Sequence, residues 1–328
     1  MHYQSRTVEE VRIELSERGK FCSLYLKSDI MKPQHVALGI LTTIIWGFNF
    51  VVLKVALIDL PPMLLTALRF TFACLPVLFL PKPKLLSWKH LVIVGLTSFL
   101  GQYIFLFVAI KQGMPAGLSS VTLQLQVFLT ILLSMFLLGE RPSTKQIIGG
   151  AVALAGLATI ASTVGKGSSI PATAMVFIVL AAATWAYGNF TTRIAGPQAG
   201  LGTFAGVCWL SLVPPLPAYA LAFAFEGSDR IYASIAHIQP ITILALTYTV
   251  ILSTWFGFIV WGKLLATYPA GTAAPFALLV PVFGGMSGFL FLGETLSPLR
   301  LLGSAFIFIG LAIILVPIDR LFNDQRQK

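Results

Sequence analysis

Charge is what this sequence has least of. Only 10% of its 328 residues are Asp, Glu, Lys or Arg, against 57% hydrophobic. A soluble domain carries about 25% charge, so there are too few charged groups to coat a globule of this length. Acids are scarcer than bases, 12 against 22. The net charge of +10 invites a nucleic-acid reading. Cations scattered through so apolar a chain form no single basic face, and nucleic acid is not an expected partner. Cysteine is nearly missing. Cys22, Cys74 and Cys208 are far apart and odd in number, which excludes a disulfide framework or a zinc cluster. Four scattered histidines give no metal spacing. The sequence has no paired carboxylates, no His/Asp cluster and no Gly-Lys-Ser/Thr phosphate loop. An enzyme lacks its acid–base or nucleophilic set, and an ATP-driven pump lacks its cradle. No cofactor is expected.

What the chain has is long apolar runs. A membrane helix needs about 20 mostly apolar residues. Ten stretches meet that: 36–55, 62–80, 91–111, 116–138, 145–164, 172–190, 201–225, 240–265, 271–292 and 299–317. The breaks carry turn and helix-start signals such as Pro61-Pro62, Gly113-Met114-Pro115, Gly227-Ser228-Asp229 and Tyr268-Pro269. The runs do not alternate in hydropathy as barrel strands do. The expected fold is therefore all-α integral membrane, with ten transmembrane helices. Residues 1–30 differ, with five cations, five acids and no apolar core of leader type. They read as a polar tail, and Met31 as the expected translation start. N-terminal sequencing checks this.

With ten spans, 16 of the 22 Lys and Arg fall on the side of the termini and five on the other. The positive-inside rule then places both termini in the cytoplasm. Arg69 alone lies well inside a span.

A shift of 154 residues superposes the two halves. Pro115-Ala116-Gly117 falls on Pro269-Ala270-Gly271, Gly139-Glu140 on Gly293-Glu294, and Gly149 and Gly156 on Gly303 and Gly310. From Pro115 to Ile160, 14 of 46 positions are identical without a gap, about three times what apolar composition alone gives. Trp46-Gly47-Phe48-Asn49-Phe50 is echoed by Trp185 to Phe190 with one residue inserted. The expected domains are two five-helix repeats, 31–166 and 167–318, followed by a cytoplasmic tail, 319–328. Five spans is an odd number, so the repeats are inverted. Inverted repeats are a signature of secondary transporters with a midplane site.

Trp46 to Lys54, Pro61-Pro62, Arg69-Phe70, Gly113 to Gly117, Leu123 to Gln126, Trp185, Asn189, Trp261-Gly262 and Leu278 to Val282 resemble the EamA family of the drug/metabolite transporter superfamily. They are most similar to its bacterial O-acetylserine/cysteine exporter branch. The resemblance covers about residues 34–318. It implies a ten-helix exporter of small metabolites, amino acids or drugs in the bacterial inner membrane. A membrane enzyme or scaffold is the disfavoured alternative.

Ionisable and polar groups inside a span are functional candidates by default. Arg69 is the intramembrane cation: it either attracts a substrate carboxylate or pairs structurally, with Glu140 or a carbonyl. Trp46 and Asn49 share a helix face, as do Trp185 and Asn189; they either line a cavity or glue helices together. Gln102 lies on one face with Ser98. Gln124 and Gln126 point in different directions, and the repeat maps them to Leu278 and Val280, so their polarity belongs to one wall only. These eight residues are the candidate substrate contacts. Tyr103, Tyr248, Trp255 and Trp261 are weaker ones. Glu140 and Glu294 read as structural caps, and Pro275 and Pro281 as kinks in the ninth span.

Overall fold

The computed structural model describes residues 31–112, 119, 121–162, 171–293 and 297–315. The polar tail 1–30, Pro115-Ala116-Gly117, Glu294 and the residues after 315 lie outside the described residues. Those described form eleven labelled helical elements, a short 3-10 turn at Pro197–Ala199 and no strand. They are α1 (Pro33–Asp59), α2 (Pro62–Cys74, then 3-10 Leu75–Leu78), and α3 (Trp88–Val94, π-helical Gly95–Gly101, Gln102–Lys111). Next come α4 (Leu125–Leu138), α5 (Thr144–Ala161), α6 (Ala172–Ala195) and α7 (Phe204–Leu210 with Pro215–Glu226). The rest are α8 (Ser228–Ala236), α9 (Pro240–Tyr248, π-helical Thr249–Phe256, Gly257–Thr267), α10 (Ala270–Ala273, 3-10 Ala274–Leu279, Val280–Leu292) and α11 (Pro298–Leu315). By length and composition α1, α3, α5, α6, α7, α9 and α10 are able to cross a membrane; α2, α4 and α11 are apolar but shorter.

Local chemistry sets these boundaries. Proline opens α1, α2, α9 and α11, where its missing N–H costs nothing. Ser143 and Gln146 form a capping box at the start of α5. Gly139 and Gly293 end α4 and α10 at φ near +68° and +65°, a left-handed conformation that favours glycine. Pro275 and Pro281 bracket the 3-10 stretch of α10: each removes a backbone donor that an unbroken α-helix needs.

Two features differ from the sequence expectation. The break after α7 is itself helical. α8 carries Asp229 in its first turn, favourable at the positive end of a helix, and an apolar side through Ile231. Asp59 and Glu226, just beyond the apolar runs 36–55 and 201–225, are the last residues of α1 and α7. Each closes the start of another helix. Glu226 accepts from the backbone N–H of Met63 and Leu64 at 2.6 and 3.0 Å. Asp59 accepts from the Gln239 N–H and the Thr242 hydroxyl.

Small residues let the helices touch. α5 and α11 cross where Gly149 faces the Gly310 carbonyl and Gly156 faces the Gly303 carbonyl. Gly47 lies against Phe283, joining α1 to α10, and Gly188 against Ser98, joining α6 to α3. The outward faces stay apolar: Leu78, Phe79, Phe136 and Leu216 are each more than three-quarters exposed. Hydrocarbon is the solvent that suits such a surface.

Candidate functional site

The polar residues of the interior converge where α1, α2, α3, α6 and α9 meet. Three indoles form its aromatic wall. Trp46 lies 6.0 Å from Trp185 and 5.4 Å from Trp261, ring centre to ring centre, with Phe258 also at 5.4 Å. Gly257 makes room for Trp46, since a side chain there would collide with its indole nitrogen. Trp46 Nε1 donates to the Ser253 carbonyl at 3.0 Å. The two Trp residues that the sequence pairs by repeat position thus face each other.

Asn189 holds the second part together. Its Nδ2 donates to Gln126 Oε1 at 2.8 Å, and its Oδ1 accepts from Trp261 Nε1 at 3.0 Å. One amide ties α6 to α4 and α9. A small cavity of about 20 Å³ runs beside it, walled by Ser98, Phe99, Asn189, Thr192, Phe258 and Trp261. That is room for about one water. Asn189→Leu is expected to lower stability by about 2 kcal/mol, because it leaves the buried Trp261 N–H without a partner and takes from Gln126 Oε1 its shorter hydrogen bond. Thermal unfolding in detergent measures it; an unchanged midpoint contradicts the network.

Arg69 is 2% exposed and, among the described residues, the only charged side chain so buried. It does not meet Glu140. Its Nε donates to Thr254 Oγ1 at 2.7 Å, Nη1 to the Tyr103 hydroxyl at 2.9 Å and Nη2 to Ser253 Oγ at 3.0 Å. The Tyr103 and Phe70 rings lie 5.3 and 5.5 Å from the guanidinium carbon, a cation–π distance. The neighbouring hydroxyls of Ser253 and Thr254 reach one guanidinium because their stretch of α9 is π-helical; π-turns recur at functional sites. The Thr254 hydroxyl in turn donates to the Thr249 carbonyl five residues back.

The remaining candidates are placed as follows. Asn49 is 8% and Gln102 5% exposed, and neither side-chain oxygen has a hydrogen-bond partner among the described residues; Trp185 Nε1 and Gln126 Nε2 also lack one there. Gln102 neighbours Tyr103 in α3, and Asn49 lies about one turn from Trp46 in α1. Gln124 is buried in the turn before α4. Ser253, Thr254 and Thr130 escape the sequence reading. Adjacent hydroxyls in an apolar run were the available signal, but the π geometry that aims Ser253 and Thr254 together was not.

Glu140 has a different role. One oxygen pairs with Arg193 Nε at 2.7 Å, and the other accepts from the Ala270 N–H at 3.1 Å. It clasps the end of α4 to the end of α6 and the start of α10.

An apolar helical bundle with a buried, polar, aromatic-walled centre suits a membrane transporter. Comparison with known proteins agrees. The chain belongs to the EamA-like transporter family, matching it at residues 34–162 and again at 172–316. It is 40% identical over 278 residues to a Salmonella typhimurium protein named "Probable amino-acid metabolite efflux pump", covering 84% of this chain and 93% of that one. An Escherichia coli protein of the same name is 37% identical over 285 residues, covering 86% and 95%. A Streptantibioticus cattleyicolor "Probable terminal-alkyne amino-acid exporter" is 28% identical, covering 84% and 91%. A crystal structure 19% identical shares the fold, with a TM-score of 0.70 over 89% of this chain and 99% of that one.

Proposed function

We propose that this chain is a secondary exporter of amino-acid metabolites, of the O-acetylserine and cysteine kind. In this reading it works by alternating access between two inverted five-helix repeats, 31–166 and 167–318. The observation that carries it is the buried polar centre, where Arg69, Trp46, Asn189 and their partners hold helices of both repeats together. Asn49, Gln102, Gln124, Gln126 and Trp185 complete the substrate-contact set. The three shorter apolar helices bring the crossings to ten, in the bacterial inner membrane with both termini cytoplasmic.

Several observations support the duplication. The family matches twice. The π-helical stretches start at Gly95 and Thr249, 154 residues apart, the same offset that aligns the sequence halves. Gly149 meets Gly310 while Gly156 meets Gly303, the reciprocal pattern of a two-fold relation. In this reading the lysine- and arginine-bearing turns near Lys82, Arg141 and Arg193 face the cytoplasm, as the positive-inside rule asks. The names of the relatives support the substrate class.

Overexpression is expected to raise external O-acetylserine or cysteine and to protect cells against toxic amino acids. No change across a broad panel of amino-acid metabolites defeats the reading. Liposomes with and without a pH gradient then report the coupling.

A further inference from the structure

The chemistry around Arg69 is one-sided. A guanidinium has five N–H donors and no acceptor, and keeps its charge in proteins. Three donors go to Thr254, Tyr103 and Ser253, which leaves one N–H on each terminal nitrogen. No carboxylate among the described residues pairs with it. All three partners are hydroxyls, and each accepts from Arg69 while retaining its own proton. The Thr254 proton is used on the Thr249 carbonyl. Those of Tyr103 and Ser253 find no acceptor among the described residues. Two guanidinium N–H groups and two hydroxyl protons therefore lie together around a buried positive charge, with no acceptor to take them. Such a charge is costly unless paired.

We propose that Arg69, Tyr103 and Ser253 form a carboxylate receptor, and that cargo is selected by a single carboxylate group. A carboxylate offers about four lone-pair sites and bridges an arginine fork with two of them, so it matches the four donors in number. One fixed charge matches a singly charged anion, whereas a phosphate dianion leaves a net negative charge buried. Cargo beyond the carboxylate would meet the aromatic and polar residues beside this group. The Ser253 carbonyl holds Trp46, and the Trp46–Trp185–Trp261 wall begins there. The unpartnered oxygens of Asn49 and Gln102, both buried, accept from a cargo amine, thiol or hydroxyl. Tyr103 belongs to the first family-matched segment and Ser253 to the second, so a bound carboxylate touches both.

This inference rests on the exporter reading and narrows it. The test uses purified full-length protein in liposomes, loaded with the twenty amino acids and O-acetylserine, with release followed by mass spectrometry. Each exported compound is then retested as its methyl ester, which keeps the amine and side chain but loses the anion. After subtracting release from protein-free liposomes, which a neutral ester leaves unaided, esters are expected to leave at least about tenfold more slowly, since they lose the charged hydrogen bonds. Tyr103→Phe and Ser253→Ala are each expected to raise the half-saturating concentration about five- to tenfold, with little change in maximal rate. Arg69→Gln is expected to abolish export. If that variant does not fold, Tyr103→Phe, which removes one oxygen, carries the test. Esters released as fast as their parent acids, or an unchanged half-saturation in Tyr103→Phe, overturn the receptor while the exporter stands. Release of no compound overturns the exporter reading, and the receptor with it.

Discussion

Valine in place of Gly156 is expected to cost about 3 kcal/mol or more, beyond the usual penalty of overpacking. Even a single methyl on Gly156 would stand 2.5 Å from the Gly303 carbonyl oxygen and 2.9 Å from Phe306 Cβ. The oxygen is backbone and has no rotamer to escape into, so α5 and α11 must separate. Van der Waals packing is what drives association of membrane helices, and separation forfeits it along the whole crossing. Gly150 supplies the control: a Cβ there meets nothing within 4 Å. Gly150→Ala is expected to be neutral or to stabilise by up to about 1 kcal/mol through helix propensity. Thermal unfolding and yield of monodisperse protein read both. Equal behaviour of the two variants removes the argument for a specific crossing.

Glu140→Ala is the second large effect. The carboxylate and Arg193 are 17% and 9% exposed, so losing the acid strands a mostly buried cation. Breaking a pair of this kind costs about 3 kcal/mol. The Ala270 N–H loses its acceptor at the same stroke. Arg193→Ala is expected to cost less, because Glu140 keeps Ala270. The double variant is expected to be little worse than Glu140→Ala, since both singles break one interaction. Additive losses in a double-mutant cycle refute the pairing.

Much of the helical plan was legible because it depends on local rules. Pro61-Pro62 marked the start of α2 and Tyr268-Pro269 the start of α10. The site was legible in kind. Arg69, Trp46, Gln126, Trp185 and Asn189 are conspicuous in apolar runs because a bilayer penalises polar groups. Their partners were not legible. Glu140 was a reasonable counter-ion for Arg69 on charge alone, yet Arg193 takes it. Ser253 and Thr254 looked unremarkable, since hydroxyls in membrane helices ordinarily bond back to their own helix, as Thr66 does to the Pro62 carbonyl. The π-helical turns depend on tertiary contacts and leave no periodic mark in the sequence. α8 was read as a turn because Gly227 and Asp229 dominate its start.

The π-helical stretch of α9 makes the number of residues in that helix a functional quantity. An α-turn holds 3.6 residues and a π-turn more, so Thr249–Phe256 stores surplus chain without looping out. Deleting one residue there lets the helix relax toward α geometry. A π-turn spends more residues on the same rotation, so removing the surplus one leaves the helix beyond it, with Trp261 on Asn189, facing as before. The turn itself changes: Ser253 and Thr254 no longer reach one guanidinium together, and Arg69 loses a hydroxyl partner. A conservative substitution in this stretch alters one contact, whereas a one-codon deletion rebuilds the surroundings of the buried charge.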